Sequence, residues 1–198
     1  YAALVKAFPE IKQNERWENS NVPGQDYTVE DQLQFIRDNK TRTPLRILEI
    51  GAGRGEVIHF CRALGLDVVA IEPGADAVSV IENTQKHLFG DAPLPPYVLH
   101  NDSIHNLDID YSEFDTILMV ESIEHILAEH FDPQWERIAS DFAGYFIVVN
   151  WKAYHPIAVG QFAGPHIHCR LVNDALYDSY ASIGQTLVRD RSHLCIQL

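Results

Sequence analysis

The segment Arg46-Ile-Leu-Glu-Ile-Gly-Ala-Gly-Arg-Gly-Glu56 decides the fold of this chain. Its first part, Arg46 to Ile50, is a short apolar run of the kind that forms a strand buried on both faces. Gly51, Gly53 and Gly55 follow at alternate positions, and a helical pattern begins near Glu56. A strand that turns so tightly into a helix offers backbone N–H groups and the positive end of the helix to a ligand. Glycine lets that ligand come close to the backbone. A nucleotide-type cofactor site is expected at this turn.

The glycine spacing separates two kinds of cofactor. The dinucleotide fingerprint needs glycine at its first, third and sixth positions. Here the first, third and fifth are glycine and the sixth is Glu56, which argues against an oxidoreductase. An acid, Glu49, stands two residues before the first glycine. This pattern resembles the first motif of the class I S-adenosylmethionine (SAM) dependent methyltransferases, acid-x-G-x-G-x-G. The resemblance implies SAM as cofactor, with Glu49, Gly51, Gly53 and Gly55 around it. A tight turn with no ligand is the plainer alternative.

The next apolar run, Asp67-Val-Val-Ala-Ile-Glu72, ends in an acid 21 residues after Gly51. A carboxylate at the tip of the second strand can accept both ribose hydroxyls of an adenosine. Glu72 is assigned that role. Tyr97 to His100 reads as a third strand, followed by Asn101-Asp102-Ser103. The resemblance places an acid here against the adenine amino group, a role that falls to Asp102 with Ser103 beside it. A turn residue capping its own backbone is the other reading of Asp102.

Phe114 to Val120 and Tyr145 to Val149 read as the fourth and fifth strands, and Thr186 to Arg189 with His193 to Leu198 as a final hairpin. Helical patterns follow the first and second strands, and Leu171 to Ile183 is helical in character with Asn173 as its cap. Alternation of this kind implies a parallel sheet covered on both faces. The expected fold is α/β, doubly wound and Rossmann-like, with a mostly parallel seven-stranded sheet and an antiparallel C-terminal hairpin. Residues 46–198 are expected to form the SAM-binding domain. Residues 1–45 are read as an N-terminal helical segment, with a helix from Thr28 to about Lys40. That helix either covers the acceptor pocket as a lid or simply packs at the sheet edge.

After the fourth strand comes Val120-Glu-Ser-Ile-Glu-His-Ile126. A helix starting here would put Glu121, Glu124 and His125 on one face at the carboxyl ends of the strands, where open α/β sheets bind ligands. Two carboxylates and an imidazole so placed suit either a divalent metal such as magnesium or a general base with its orienting partners. The motif resembles two methyltransferase groups. One comprises small-molecule O-methyltransferases. The other comprises small-RNA 2′-O-methyltransferases, in which such residues and a later histidine hold a metal. His166 and His168, in Gly164-Pro-His-Ile-His-Cys-Arg170, would then complete a ligand set of Glu121, Glu124, His125, His166 and His168. His168 is followed by Cys169-Arg170-Leu171-Val172, where the RNA enzymes carry an apolar-acid-Trp run. Without a metal, Glu121 lines the cofactor pocket, His125 is the first candidate base with Glu124 orienting it, and His166 or His168 could serve instead.

Composition narrows the partners. The 198 residues suit one domain with a sizeable core, and the net charge is -13. Between Arg62 and Lys152 the only Lys or Arg residues are Lys86 and Arg137. Nucleic-acid binding relies on clustered basic residues, so a nucleic acid is a disfavoured partner. No apolar run approaches a membrane span. Cys61, Cys169 and Cys195 show no paired spacing, which fits a reducing, cytoplasmic setting. The expected activity is SAM-dependent methyl transfer to a small molecule, at a hydroxyl oxygen. A metal-dependent RNA 2′-O-methyltransferase and a non-catalytic SAM-fold module of a larger protein are the alternatives.

Overall fold

In the computed structural model, residues 45–150, 162–163, 166–167, 169–170, 172–189 and 193–198 are described. The segment expected to form the N-terminal helix, and most of the loop carrying His168, lie outside them. Strand β1 (Arg46–Ile50) leads through the glycine turn into α1 (Glu56–Ala63). Then come β2 (Asp67–Ile71), α2 (Ala77–Phe89), β3 (Val98–His100), β4 (Thr116–Val120), α3 (Ala128–Asp141) and β5 (Tyr145–Val149). Two short strands, β6 (Phe162–Ala163) and β7 (His166–Ile167), pair with each other, and α4 (Asp174–Ala181), β8 (Gln185–Arg189) and β9 (His193–Gln197) follow.

The main sheet has seven strands in the order β3-β2-β1-β4-β5-β9-β8. The first five are parallel, and β9 runs antiparallel between β5 and β8. This is the doubly wound sheet with an antiparallel hairpin that the alternation of apolar runs predicts. The strand order reverses between β1 and β4, so the loops leaving those two strands lie side by side.

Successive side chains of a strand face opposite sides of the sheet, and the core divides accordingly. Leu48, Ile50, Ile117, Met119, Phe146 and Val148 pack on one face with Phe131 and Ile138 of α3 and Tyr177 and Tyr180 of α4. Ile47, Val68, Ala70, Leu118 and Ile147 pack on the other, with Ile58 and Cys61 of α1 and Ala77 and Ile81 of α2. Fully burying one such Ile or Phe side chain contributes about 1.5–3 kcal/mol, so the two layers supply most of the driving force.

Helix ends follow local chemistry. In α1, Gly55 stands at the N-cap in the left-handed region with Glu56 in the first turn. The helix stops where Gly65 turns left-handed and its N–H donates to Arg62 O. In α4 the expected Asn173 cap is present, its side chain accepting from Leu176 N at 3.0 Å. Two strands begin later than their apolar runs suggest. Phe114 closes the 3-10 turn Tyr111–Glu113, so β4 starts at Thr116, and β3 starts at Val98.

Candidate functional site

The glycine turn closes on the end of β2. The N–H groups of Gly51 and Ala52 both donate to Ile71 O, at 2.8 and 3.1 Å. Gly51, Gly53 and Gly55 all have positive φ, at 80, 54 and 80°. Their surroundings differ. A Cβ on Gly51 would lie 2.4 Å from Ser122 Cβ, and one on Gly55 would lie 2.9 Å from Ile81. A Cβ on Gly53 would meet nothing within 4 Å. The outer two glycines therefore serve packing, and the middle one borders open space.

Glu72, immediately after β2, faces that space. Its Oε2 accepts from Gly53 N at 2.7 Å and its Oε1 from Gly74 N at 2.9 Å. Two backbone donors orient the carboxylate and leave further lone pairs for a ligand. Asn101, the first residue after β3, braces this loop by donating from Nδ2 to Glu72 O and Gly74 O, at 2.8 and 2.7 Å. Asp102 Oδ1 accepts from Asn106 Nδ2 and Ser103 N, at 2.8 and 2.7 Å. Those two donors hold its carboxyl below the usual range. Asp102 thus stands just before the 3-10 turn Ile104–Asn106 and is tied to it through the Asn106 side chain, with Ser103 as that turn's N-cap.

Glu49 differs from Glu72 in its environment. It points into the core beneath α1, is 2% exposed, and its Oε2 has no hydrogen-bond partner. Burial pushes its carboxyl well up from the ordinary range, and Glu56 and then Glu72 push it further.

The loop after β4 departs from expectation. Glu121, Glu124 and His125 do not share a helix face. Glu121 is held in the left-handed region at φ 51°, with its N–H donating to Val149 O at 2.8 Å. Ser122 then donates from Oγ to Ile50 O at 2.7 Å, tying this loop to the end of β1. Only the 3-10 turn Ile123–His125 follows before the chain extends again, and α3 begins at Ala128. The reason is packing. Ile123 is drawn fully into the core beneath β4, which an α-helix starting at Glu121 would not permit without releasing the Ser122 tie.

Glu124 is accordingly 1% exposed. Its Oε2 accepts from Asn150 Nδ2 at 2.8 Å, and its backbone oxygen accepts from Cys169 N and Arg170 N. His125 Nε2 lies 3.6 Å from Glu124 Oε1, an electrostatic contact longer than a hydrogen bond. Among the described residues no group of three or more His, Cys, Asp or Glu is disposed to hold a metal ion. His166 falls in β7 by its backbone, and His168 lies outside the described residues.

Three residues of this constellation carried no sequence motif: Asn101, Ser122 and Asn150. Each stands one or two places beyond the end of a parallel strand, which is the one signal that points to them. His59, without a partner in sequence, is a fully buried core residue. Its Nε2 donates to Ile81 O at 2.8 Å and its Nδ1 accepts from Arg62; burial lowers the pKa of the ring, the Ile81 bond opposes that, and the guanidinium adds to it.

The comparisons with known proteins agree with this architecture. A search of curated proteins finds no match to the sequence. Among solved structures, TehB from Haemophilus influenzae superposes with a TM-score of 0.61 at 12% identity, over 92% of this chain and 66% of that one. The chain thus spans slightly less than two thirds of TehB. The DhpI–SAH complex gives a TM-score of 0.53 at 17% identity, over 98% and 94%. The glycopeptide N-methyltransferase MtfA gives 0.53 at 13%, over 83% and 87%. At these identities the likeness is one of fold. A family model described as a methyltransferase domain matches residues 22–141, more than half of the sequence. With the acid-glycine turn, the Glu72 carboxylate and the strand order, this places the chain in the class I SAM-dependent methyltransferase family.

Proposed function

We propose that the protein transfers a methyl group from SAM to a small-molecule acceptor, at a hydroxyl oxygen. One observation carries the reading: the Glu72 carboxylate is held by two backbone N–H groups beside the open side of Gly53, at the mouth of an otherwise closed glycine turn. That cradle fits the cofactor. Glu72 would accept the ribose hydroxyls, Gly51, Gly53 and Gly55 would line the approach, and Asp102 with Ser103 would face the adenine. Glu121 would supply negative charge for a cationic ligand, with Glu49 beneath the turn. SAM supplies a methyl group on a sulfonium, a good electrophile whose charge is lost on transfer. The same fold carries SAH in the DhpI complex.

Methyl transfer is an in-line displacement, so holding the acceptor aligned supplies much of the rate. A hydroxyl acceptor must also lose a proton. His125 is the proposed base, half-buried beside Glu124, whose carboxylate is fixed in turn by the fully buried Asn150. His168 would be the alternative proton acceptor. The burial of Glu124 against Asn150 favours the metal-free branch, and a divalent metal on Glu121, Glu124, His125, His166 and His168 is the alternative that EDTA tests. Residues 1–45 are proposed to cover the acceptor side of the 46–198 domain. The three free cysteines suit a reducing compartment such as the cytoplasm.

Calorimetric titration with SAM tests the cofactor assignment. Glu72→Ala should weaken binding about 10- to 100-fold, the worth of hydrogen bonds to a charged group. Unchanged affinity would show the ribose assignment to be wrong. Transfer from labelled SAM to a panel of phenols, catechols and amines then tests the acceptor. Hydroxyl acceptors should be methylated, with activity insensitive to EDTA and reduced about 100-fold or more in His125→Ala.

A further inference from the structure

Strands β1 and β4 pair in register as far as Glu49 and Leu118, whereas β4 and β5 stay paired to Val120 and Val149. Beyond the end of the β1–β4 ladder the buried Ser122 bridges the gap, its Oγ donating to Ile50 O at 2.7 Å. On one side of that bond the next residue is Gly51, whose N–H donates to Ile71 O and where a Cβ would lie 2.4 Å from Ser122 Cβ. On the other side Ser122 O accepts from His125 N at 3.0 Å, which closes the turn carrying Glu124 and His125. The residue before it, Glu121, has φ 51° and is the only non-glycine with positive φ among the described residues. That conformation is unfavourable for an L-residue and persists only where its surroundings impose it. Here they are the Ser122 tie to β1 and the bond from Glu121 N–H to Val149 O at 2.8 Å.

We propose that Ser122 is a positioning residue for methyl transfer: its side chain joins the glycine turn to the turn carrying Glu124 and His125, so that the two open and close as one unit. This rests on the SAM reading above and adds how the two halves of the site keep their spacing. In-line displacement rewards a fixed alignment of donor and acceptor, and a base that drifted relative to the cofactor turn would lose it. Ser122 acts through Ile50 and His125 rather than on the reacting atoms.

Such a joint has a signature in amide hydrogen exchange. The N–H groups of Glu121 and His125 are both hydrogen-bonded and exchange only when the loop opens. If that opening also spoils the cofactor turn, SAM slows it by the factor 1 + [SAM]/Kd, about 100-fold at free SAM about 100 times Kd. If the loop opens by itself, SAM leaves those two amides unchanged. General destabilisation raises exchange throughout the protein but leaves the dependence on SAM in place, so the signature separates a joint from a merely structural contact.

The test is exchange of the full chain followed by NMR, without SAM and with SAM at about 100 times the dissociation constant that calorimetry gives for each variant. In the wild type the Glu121 and His125 amides should slow about 100-fold, together with the Gly51 amide. Ser122→Ala should still bind SAM, because the Gly53 and Gly74 donors to Glu72 are untouched. Its Gly51 amide should still slow, while the Glu121 and His125 amides exchange faster and no longer respond to SAM. Ser122→Cys keeps the size with a weaker donor and should fall between the two, which also serves if Ser122→Ala does not fold. Three results would overturn the proposal: loop amides indifferent to SAM in the wild type, slowing that persists undiminished in the variants, or variants that fold but bind no SAM, which would make Ser122 part of the cradle itself. No calorimetric heat and no slowing anywhere in the wild type would instead sink the cofactor reading and this proposal with it, a failure told apart by the unresponsive Gly51 amide.

Discussion

Gly51 and Gly53 lie two residues apart in one turn, yet an alanine would meet different surroundings at each. Both have positive φ, which costs an L-residue roughly 1–2 kcal/mol. At Gly51 the new methyl would also lie 2.4 Å from Ser122 Cβ, where Ser122 is locked by its bond to Ile50 O. At Gly53 it would enter open space. Gly51→Ala should therefore lose about 3 kcal/mol or more of stability and Gly53→Ala only about 1 kcal/mol, read from urea denaturation midpoints. SAM affinity should report the reverse emphasis, with Gly53→Ala folding and binding poorly. Equal destabilisation by the two changes would remove the distinction between a packing glycine and a ligand-facing one.

The pieces around the turn are held together by a single buried guanidinium. Arg62 of α1 reaches His59, Gln85 of α2, and the backbone oxygens of Leu94 and Pro95 in the proline-rich loop, and stacks over Tyr97. It therefore joins two helices and the run-in to β3. Removing it leaves the buried His59 Nδ1 and three part-buried acceptors without their donor. Arg62→Ala should lower stability by about 2–4 kcal/mol while leaving the SAM dissociation constant within about twofold, because none of its partners belongs to the proposed site. Paired denaturation and calorimetric measurements on that variant would check this. A large loss of affinity at unchanged stability would show that α1 and α2 transmit strain to the turn. On the opposite face Trp135 packs on Phe146 and Tyr180, with ring centroids 4.8 and 4.3 Å apart, and fastens α3 and α4 to β5.

The chain as a whole carries a net charge of -13 with few basic residues to interrupt it. Several of its ion pairs, such as Arg137 with Asp108 and Arg189 with Asp174, are at the surface and contribute little each. Self-repulsion among unpaired carboxylates should outweigh them. Raising ionic strength from about 0.01 to 0.15 M shortens the screening length from about 30 to 8 Å. The melting temperature should then rise by a few degrees in a circular-dichroism scan. A fall would mean that the ion pairs dominate. Among the described residues no helix is long and apolar enough to cross a membrane.

How far each part was legible in the sequence depends on the range of the interaction that decides it. Strand β1, the glycine turn, the Glu72 tip and the Asn173 cap are set by neighbours in the chain. Apolar runs, glycine at positive φ and a side-chain cap leave local marks, and the reading of them matches the structure. The loop after β4 is different. Its Glu-x-x-Glu-His spacing has the helical period, but Ser122 binds Ile50 O across 72 positions and Glu124 binds Asn150 across 26. Those contacts, with the burial of Ile123, turn Glu124 inward and delay the helix to Ala128. Asn101 and Asn150 likewise gain meaning only when parallel strands bring their carboxyl ends together. The sequence by itself determined the fold, the family and the cofactor turn. Tertiary packing decided which acid is buried, which is held by backbone donors beside the glycine turn, and which residues position them, because burial and long-range hydrogen bonds outweigh local period wherever the two compete.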